Sequence, residues 1–196
     1  MNVLLLRSPK GTLIPLVEAV QRSPNADGHG SGWWGRSKAR IFSTYESLKE
    51  KLDYYEKVCA DLRGAQRLKI VHPSRWSADE AEGLLQDFLE SRRGHHLRWF
   101  QVDVVLAILG GFLMPLPGPN LFFFYPAARA FGHYHARQGA AAALQCRPWA
   151  GEADRRLDQV EKNLSRLEDI SSTLSELEER YGVAHLKKSL EALRKR

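Results

Sequence analysis

The feature that most constrains this chain is a run of 25 residues without a charged side chain, from Val104 to Ala128. The run is long enough by count for one transmembrane helix, which needs about 20 apolar residues. Alternating prolines in its middle argue against one straight helix, because each removes a backbone donor and costs about 3 kcal/mol. The sequence instead predicts two helical arms, with an extended turn before an N-cap residue. The predicted turn residues are Pro115, Pro117, Gly118, Pro119 and Asn120.

The two arms fit a hairpin that enters a membrane and returns to the same side. The first arm, Val102 to Met114, would be about 20 Å long, whereas the hydrocarbon core of a bilayer is about 30 Å thick. Arginines flank both ends of the run, and basic flanks prefer the cytoplasmic face. A helical hairpin buried in a protein core and a tilted full span are the alternatives.

The net charge of the chain is concentrated around this apolar run. The formal charge is +6, and residues 91–150 hold six arginines but a single acid, Asp103. Basic residues beside an apolar segment favour contact with anionic lipid headgroups, and a solvated basic face of a soluble domain is the alternative. Nucleic-acid binding is disfavoured, because the arginines flank an apolar segment instead of lining a polar helix.

Ionisable and aromatic side chains lie near the base of the predicted hairpin. Its histidines could bind a metal, relay protons, bind lipid phosphates or simply fill the polar boundary. A metal is disfavoured, because no carboxylate or cysteine completes a ligand shell. Asp103 is a functional candidate at a membrane edge, although it could equally pair with Arg98 or Arg129. The candidates for contacts with ions, protons or headgroups are His95, His96, Asp103, Tyr125, Arg129, His133, Tyr134 and Arg137.

The residues before the run predict a small α/β lobe, residues 1–93. Ser77 is a candidate N-cap for its last helix, and acids follow in the first turn. Trp33 and Trp34, in a loop rich in glycine, could anchor that loop at headgroups or cover a core edge. The predicted elements are a strand at Asn2–Arg7, a short helix at Thr12–Arg22, a loop at 23–38, an amphipathic helix at Arg40–Leu62, a strand at Leu68–His72 and a helix from Ala78 to about Arg93.

The C-terminal residues, 152–196, have a stripe of apolar side chains at helical spacing over more than three heptads. The stripe predicts a coiled-coil-like helix, broken or kinked at Gly182. Its partner could be the Arg40–Leu62 helix of the same chain or another copy of the chain. The fold class is therefore mainly α with a small α/β N-terminal lobe, a proline-turned hairpin over residues 94–147 and this C-terminal helix.

Several functional classes find no support in the sequence. The motifs of nucleotide-binding, serine-hydrolase and zinc-protease sites are missing, so an enzyme is not predicted, nor is a cofactor. The two cysteines, Cys59 and Cys146, fit a reducing compartment. The N-terminal apolar stretch is too short for a secretory signal.

The region from Arg92 to Gly139 resembles the mitochondrial K+/H+ exchange-related family. The resemblance lies in RRGHHLRWF, the apolar arm and MPLPGPNLFFFYPAARAFGHYHARQG. Two positions depart from the family pattern: Gly132 stands where serine is expected, and Pro126 should bend the second arm. The matching residues are His96, Pro119, Asn120, Phe124, Tyr125, Arg129, His133 and Gly139.

The resemblance implies an inner-membrane protein linked to potassium/proton exchange. An accessory or regulatory role is expected rather than transport itself, since exchangers usually need several spanning helices and an ionisable site at the midplane. The alternative is a membrane scaffold that recruits partners through residues 152–196. No mitochondrial type of leader is recognisable, so the cytoplasmic side of a bacterial membrane is expected rather than the mitochondrial inner membrane.

Overall fold

The computed structural model describes residues 1–18, 54–112, 121–183 and 186–194. The class expected from the sequence, mainly α with a small α/β lobe, is confirmed. The strands are β1 (Asn2–Arg7), β2 (Leu13–Val17), β3 (Lys69–Pro73) and β4 (Ala150–Asp154). The helices are α1 (Tyr54–Asp61), α2 (Ala78–Phe112), α3 (Leu121–Gln145), α4 (Arg155–Lys162), α5 (Ser171–Tyr181) and α6 (Leu186–Arg194), and a 3-10 turn follows α1 at Leu62–Gly64.

The four strands form one mixed sheet in the order β2-β1-β3-β4. β1 and β2 are an antiparallel hairpin, whereas β1 pairs with β3, and β3 with β4, in parallel. The sheet separates two hydrophobic cores: α4, α5 and α6 cover one face, and α1, α2 and α3 cover the other. Side chains of β1 alternate between them, with Leu4 and Leu6 on the first face and Val3 and Leu5 on the second.

The helix predicted at Thr12–Arg22 is wrong over its described part, because residues 13–17 form β2. Pro15 does not prevent this, since β2 is an edge strand and Pro15 lies opposite Leu5 in the register. Pairing with β1 buries Ile14 and Leu16. Tertiary pairing therefore decided the conformation of a segment whose local pattern was ambiguous.

The single coiled-coil-like helix predicted for residues 152–196 is also wrong. The segment contains part of β4 and three short helices, and its apolar stripe is buried against the chain's own sheet. The predicted break at Gly182 is confirmed: this residue caps α5 with a φ of 68°, a conformation that favours glycine. The buried stripe members are Leu157, Val160, Leu164, Leu167, Ile170, Leu174, Leu177, Tyr181, Leu186 and Leu190.

The helix that begins at Ala78 does not end near Arg93 but continues to Phe112, so that the lobe helix and the first hairpin arm are one element. Ser77 caps it as predicted, with its Oγ accepting a hydrogen bond from the Glu80 backbone N–H at 3.1 Å. Gly94 lies at an exposed position within this helix and does not end it. The division into domains at residues 93 and 147 stays a prediction.

α2 and α3 pack along each other as an antiparallel hairpin, as the two predicted arms require. Contacts run from the Glu82–Arg147 ion pair at one end, through His96 and His133, to the backbones of Gly110 and Phe122 at the other. The two backbones approach closely at Gly110, where an added Cβ would stand 2.1 Å from the backbone oxygen of Phe122. The predicted turn residues Pro115, Pro117, Gly118, Pro119 and Asn120, the 23–38 loop with its two tryptophans, and residues 40–53 lie outside the described residues.

Helix α3 also crosses the end of α1 at Gly139. A Cβ at this glycine would stand 1.7 Å from the backbone oxygen of Cys59, so only glycine permits the two backbones to approach. This crossing places α1 beside the middle of the hairpin, where the candidate site lies.

Candidate functional site

A group of charged and imidazole side chains is buried where α1, α2 and α3 meet. Helical periodicity brings the α2 and α3 members to the facing sides of the hairpin, since they are seven and four residues apart. Glu56, His96 and His133 are each 2% exposed, and Asp103 is 8% exposed. We call this group the buried cluster; its members are Glu56 from α1, His96 and Asp103 from α2, and Arg129 and His133 from α3.

His133 stands at the centre of the buried cluster. Its Nε2 lies 3.0 Å from Arg129 Nη2 and 3.5 Å from Asp103 Oδ2, and its Nδ1 lies 3.1 Å from His96 Nδ1. The Glu56 carboxylate is on the Nδ1 side, with Oε1 at 3.9 Å, and its Oε2 accepts a hydrogen bond from Arg129 Nη1 at 3.3 Å. His133 is therefore positioned between two carboxyl groups that come from different helices.

These contacts imply one arrangement of protons on both imidazoles. A guanidinium only donates hydrogen bonds, so His133 Nε2 must accept from Arg129 and carries no proton. The proton of neutral His133 is then on Nδ1 and is donated to His96 Nδ1. His96 in turn carries its proton on Nε2, so that both rings are neutral in this arrangement.

Burial shifts two ionisation equilibria in the cluster. Desolvation is the main cause that lowers the pKa of His133 from 6.5 to about 3, and the positive charge of Arg129 lowers it further. Desolvation raises the pKa of Asp103, and the positive charge of Arg129 opposes that rise. Asp103 Oδ2 makes no hydrogen bond with any of the residues that the structure describes.

The low pKa of His133 predicts a loss of stability in acid. The unfolded chain binds a proton at this histidine below about pH 6.5 and the folded chain does not, so the free energy of unfolding should decrease as the pH falls from 6.5 towards 3. Urea unfolding between about pH 7 and about pH 4 would measure this, with His133→Gln giving a shallower dependence. An NMR titration that places the His133 pKa near its usual value would contradict it.

The far end of the hairpin exposes a large apolar surface. Side chains on α2 and the start of α3 face solvent there, with Leu109 56%, Phe122 70% and Phe112 78% exposed. We call this surface the apolar tip; it comprises Val102, Val105, Leu106, Ile108, Leu109, Phe112 and Phe122. These described side chains are therefore not buried in the core of their own chain, which argues against the predicted alternative of a buried hairpin.

Aromatic and basic side chains follow the apolar tip along the hairpin in a fixed order. Trp99 and Tyr134 are exposed just before the tip, and Tyr134 packs beside Phe100 with ring centroids 5.9 Å apart. Arg93 and Arg98 are exposed on α2, the helix that carries Trp99. Arg93 lies farther from the tip than Trp99, and Arg98 directly precedes Trp99 in the sequence. No described helix is both long enough and apolar enough to cross a bilayer.

The structure brings together four of the eight residues predicted as contacts for ions, protons or headgroups: His96, Asp103, Arg129 and His133. His95 lies at the edge, its ring 5.4 Å from that of His96 and 6.3 Å from Trp99. The remaining three lie apart from the cluster: Tyr125 and Tyr134 are exposed, and Arg137 is half-buried.

Sequence reasoning missed Glu56, the carboxylate that α1 contributes. Its signal was an acid three residues before Cys59, beside the apolar stripe of an amphipathic helix, where a buried charge needs a partner. Among the described residues, no group of three or more histidine, cysteine or acidic side chains has the geometry to hold a metal ion.

The fold and the site define an α/β protein with a projecting two-helix hairpin, which buries a charged cluster at its middle and exposes apolar side chains at its end. Residues 35–145, more than half of the chain, match the family described as mitochondrial K+-H+ exchange-related. The chain belongs to this family, as its hairpin motifs predicted. No curated protein and no solved structure matches the chain.

Proposed function

We propose that this chain is a membrane-associated protein that serves potassium/proton exchange as an accessory or regulatory component. The observation that carries the proposal is the apolar tip, whose side chains are about half or more exposed. Contiguous exposed apolar surface marks an interaction site with a membrane or a partner. Membership of a K+-H+ exchange-related family supports the link to cation exchange.

The order of side chains along the hairpin favours a bilayer as the occupant of the tip. Exposed arginines are followed along the hairpin by an exposed tryptophan and tyrosine. The mainly apolar side chains of the tip come next, with the exposed Tyr125 beside them, and this order matches that of headgroups, interface and hydrocarbon. Asp103 is the single acid between residues 91 and 150, and it is buried. The hairpin surface that would meet lipid headgroups is therefore positive, which suits anionic phospholipids.

The length of the tip suits insertion into one leaflet. From Trp99 to Phe112 helix α2 rises by about 20 Å, because each helical residue adds about 1.5 Å. One leaflet contributes about half of a hydrocarbon core of about 30 Å, and the interfacial layer adds several ångströms. A hairpin of this depth would dock on one side of the membrane, where it could regulate an exchanger.

The scaffold alternative, in which a C-terminal coiled coil recruits partners, requires the apolar stripe of that segment to be available to another chain. The apolar stripe of residues 157–190 is buried against the chain's own sheet. For localisation we keep the cytoplasmic side of a bacterial membrane as the proposal, while the family description itself names mitochondria.

Flotation with lipid vesicles tests the proposal. The wild-type chain should rise with vesicles that contain anionic phospholipid, and added salt should weaken the headgroup contribution while apolar binding persists. A polarity-sensitive fluorophore on Ile108→Cys should report a hydrocarbon environment, whereas one on Ser91→Cys should stay in water. Both variants carry Cys146→Ser, and Cys59 is buried. A chain that remains at the bottom of the gradient with every vesicle would end the membrane hypothesis.

A further inference from the structure

The buried cluster has an unbalanced charge. Glu56 and Asp103 contribute two carboxylates, Arg129 contributes one positive charge, and the hydrogen-bond geometry keeps both imidazoles neutral. With both carboxylates ionised, these five described side chains together carry one net negative charge, and one proton would neutralise it. Among the described residues, His95 is a further titratable group beside the cluster, on the same helix as Asp103, with its ring centroid 5.4 Å from that of His96.

Among the carboxyl groups, Asp103 is the one placed to receive this proton. Glu56 Oε2 is paired with Arg129 Nη1 at 3.3 Å, whereas Asp103 Oδ2 makes no hydrogen bond with the described residues and lies 3.5 Å from His133 Nε2. His133 Nε2 already accepts a hydrogen bond from Arg129 and carries no proton, so it cannot donate a hydrogen bond to the Asp103 carboxylate. The ionised carboxylate of Asp103 therefore gains little stabilisation from hydrogen bonds, so protonation of this group sacrifices few interactions.

Asp103 also lies on the membrane side of the aromatic residues. It is one helical turn beyond Trp99, about 6 Å further along α2, and its neighbours Val102, Val105 and Leu106 belong to the apolar tip. In water the thin hairpin is surrounded by a solvent of high dielectric constant, which stabilises the ionised cluster. Hydrocarbon around the same helices would remove that stabilisation and penalise the net charge.

We propose that the buried cluster is a proton-binding site that takes up one proton, on the Asp103 carboxyl group, when the apolar tip enters a bilayer. The inference rests on the proposed membrane association and adds a ligand and a regulation to it. Linkage is reciprocal: if insertion strengthens proton binding, protonation strengthens insertion by the same factor. Falling pH on the side where the hairpin docks would then drive the tip into the membrane.

Proton uptake on vesicle binding tests the proposal. The full-length chain is mixed with zwitterionic vesicles in weakly buffered solution, at several pH values from about 5 to about 8, and released or absorbed protons are followed with an indicator. The wild-type chain should absorb up to one proton per bound chain within this range, and bind about tenfold more tightly at the acid end. Zwitterionic lipid is used because its headgroups carry no net charge. Surface histidines that become protonated as the pH falls therefore do not strengthen vesicle binding by electrostatic attraction.

Asp103→Asn should bind at all these pH values as tightly as protonated wild type, with no proton uptake. Asp87→Asn, a matched change at an exposed acid of the same helix, should behave as wild type. Flotation without proton uptake, or equal uptake by wild type and Asp103→Asn, would overturn this inference and leave membrane association standing. A chain that binds no vesicles at any pH would overturn both.

Discussion

A chain carrying both Leu109→Glu and Phe122→Glu should lose vesicle binding by at least about a hundredfold, since each charge in hydrocarbon costs on the order of 2 kcal/mol. The two side chains are 56% and 70% exposed, so the folded protein in water should tolerate the changes within about 0.5 kcal/mol. Flotation on zwitterionic vesicles measures the binding, and urea unfolding confirms that the fold is intact.

Ser91→Glu with Gln145→Glu is the matched control. It adds the same two charges to exposed positions of the same two helices, α2 and α3, far from the apolar tip. This control should bind zwitterionic vesicles as wild type does. Equal binding by the tip variant and wild type would mean that the exposed apolar surface does not contact lipid.

Gly139→Ala should destabilise the protein by about 3 kcal/mol or more, because a single added carbon overpacks the crossing of α1 and α3. The new Cβ would stand 1.7 Å from the backbone oxygen of Cys59 and 3.0 Å from the backbone nitrogen of Arg63. Neither neighbour is the end of a flexible side chain, so the helices must move apart. Their separation would also withdraw Glu56 from the buried cluster.

Gly83→Ala is the matched control for that substitution. Gly83 lies on an exposed face of α2, and a Cβ there would meet nothing within 4 Å. Alanine should therefore stabilise the protein by about 0.5 to 1 kcal/mol through its higher helix propensity. Urea unfolding of the two variants measures both effects, and a Gly139→Ala protein as stable as wild type would contradict the tight crossing.

The parts of the fold that the sequence predicted are those with strong local signals. The strand Asn2–Arg7 was bounded as the structure shows it, and the cap at Ser77 formed as expected. The second hairpin arm begins at Leu121, directly after the predicted proline turn. Four of the five members of the buried cluster, His96, Asp103, Arg129 and His133, were also predicted, because they lie within the segment from Arg92 to Gly139 that carries the family motif.

Sequence alone therefore determined the hairpin, its apolar and basic segments and the family, because each depends on residues close together in the chain. Tertiary structure alone decided that residues 13–17 pair as an edge strand, that the C-terminal stripe covers a sheet, and that Glu56 joins His133 across α1 and α3. These three outcomes depend on which surface each segment finds to bury its apolar face. That choice is made by contacts between residues distant in sequence, which a local pattern does not encode.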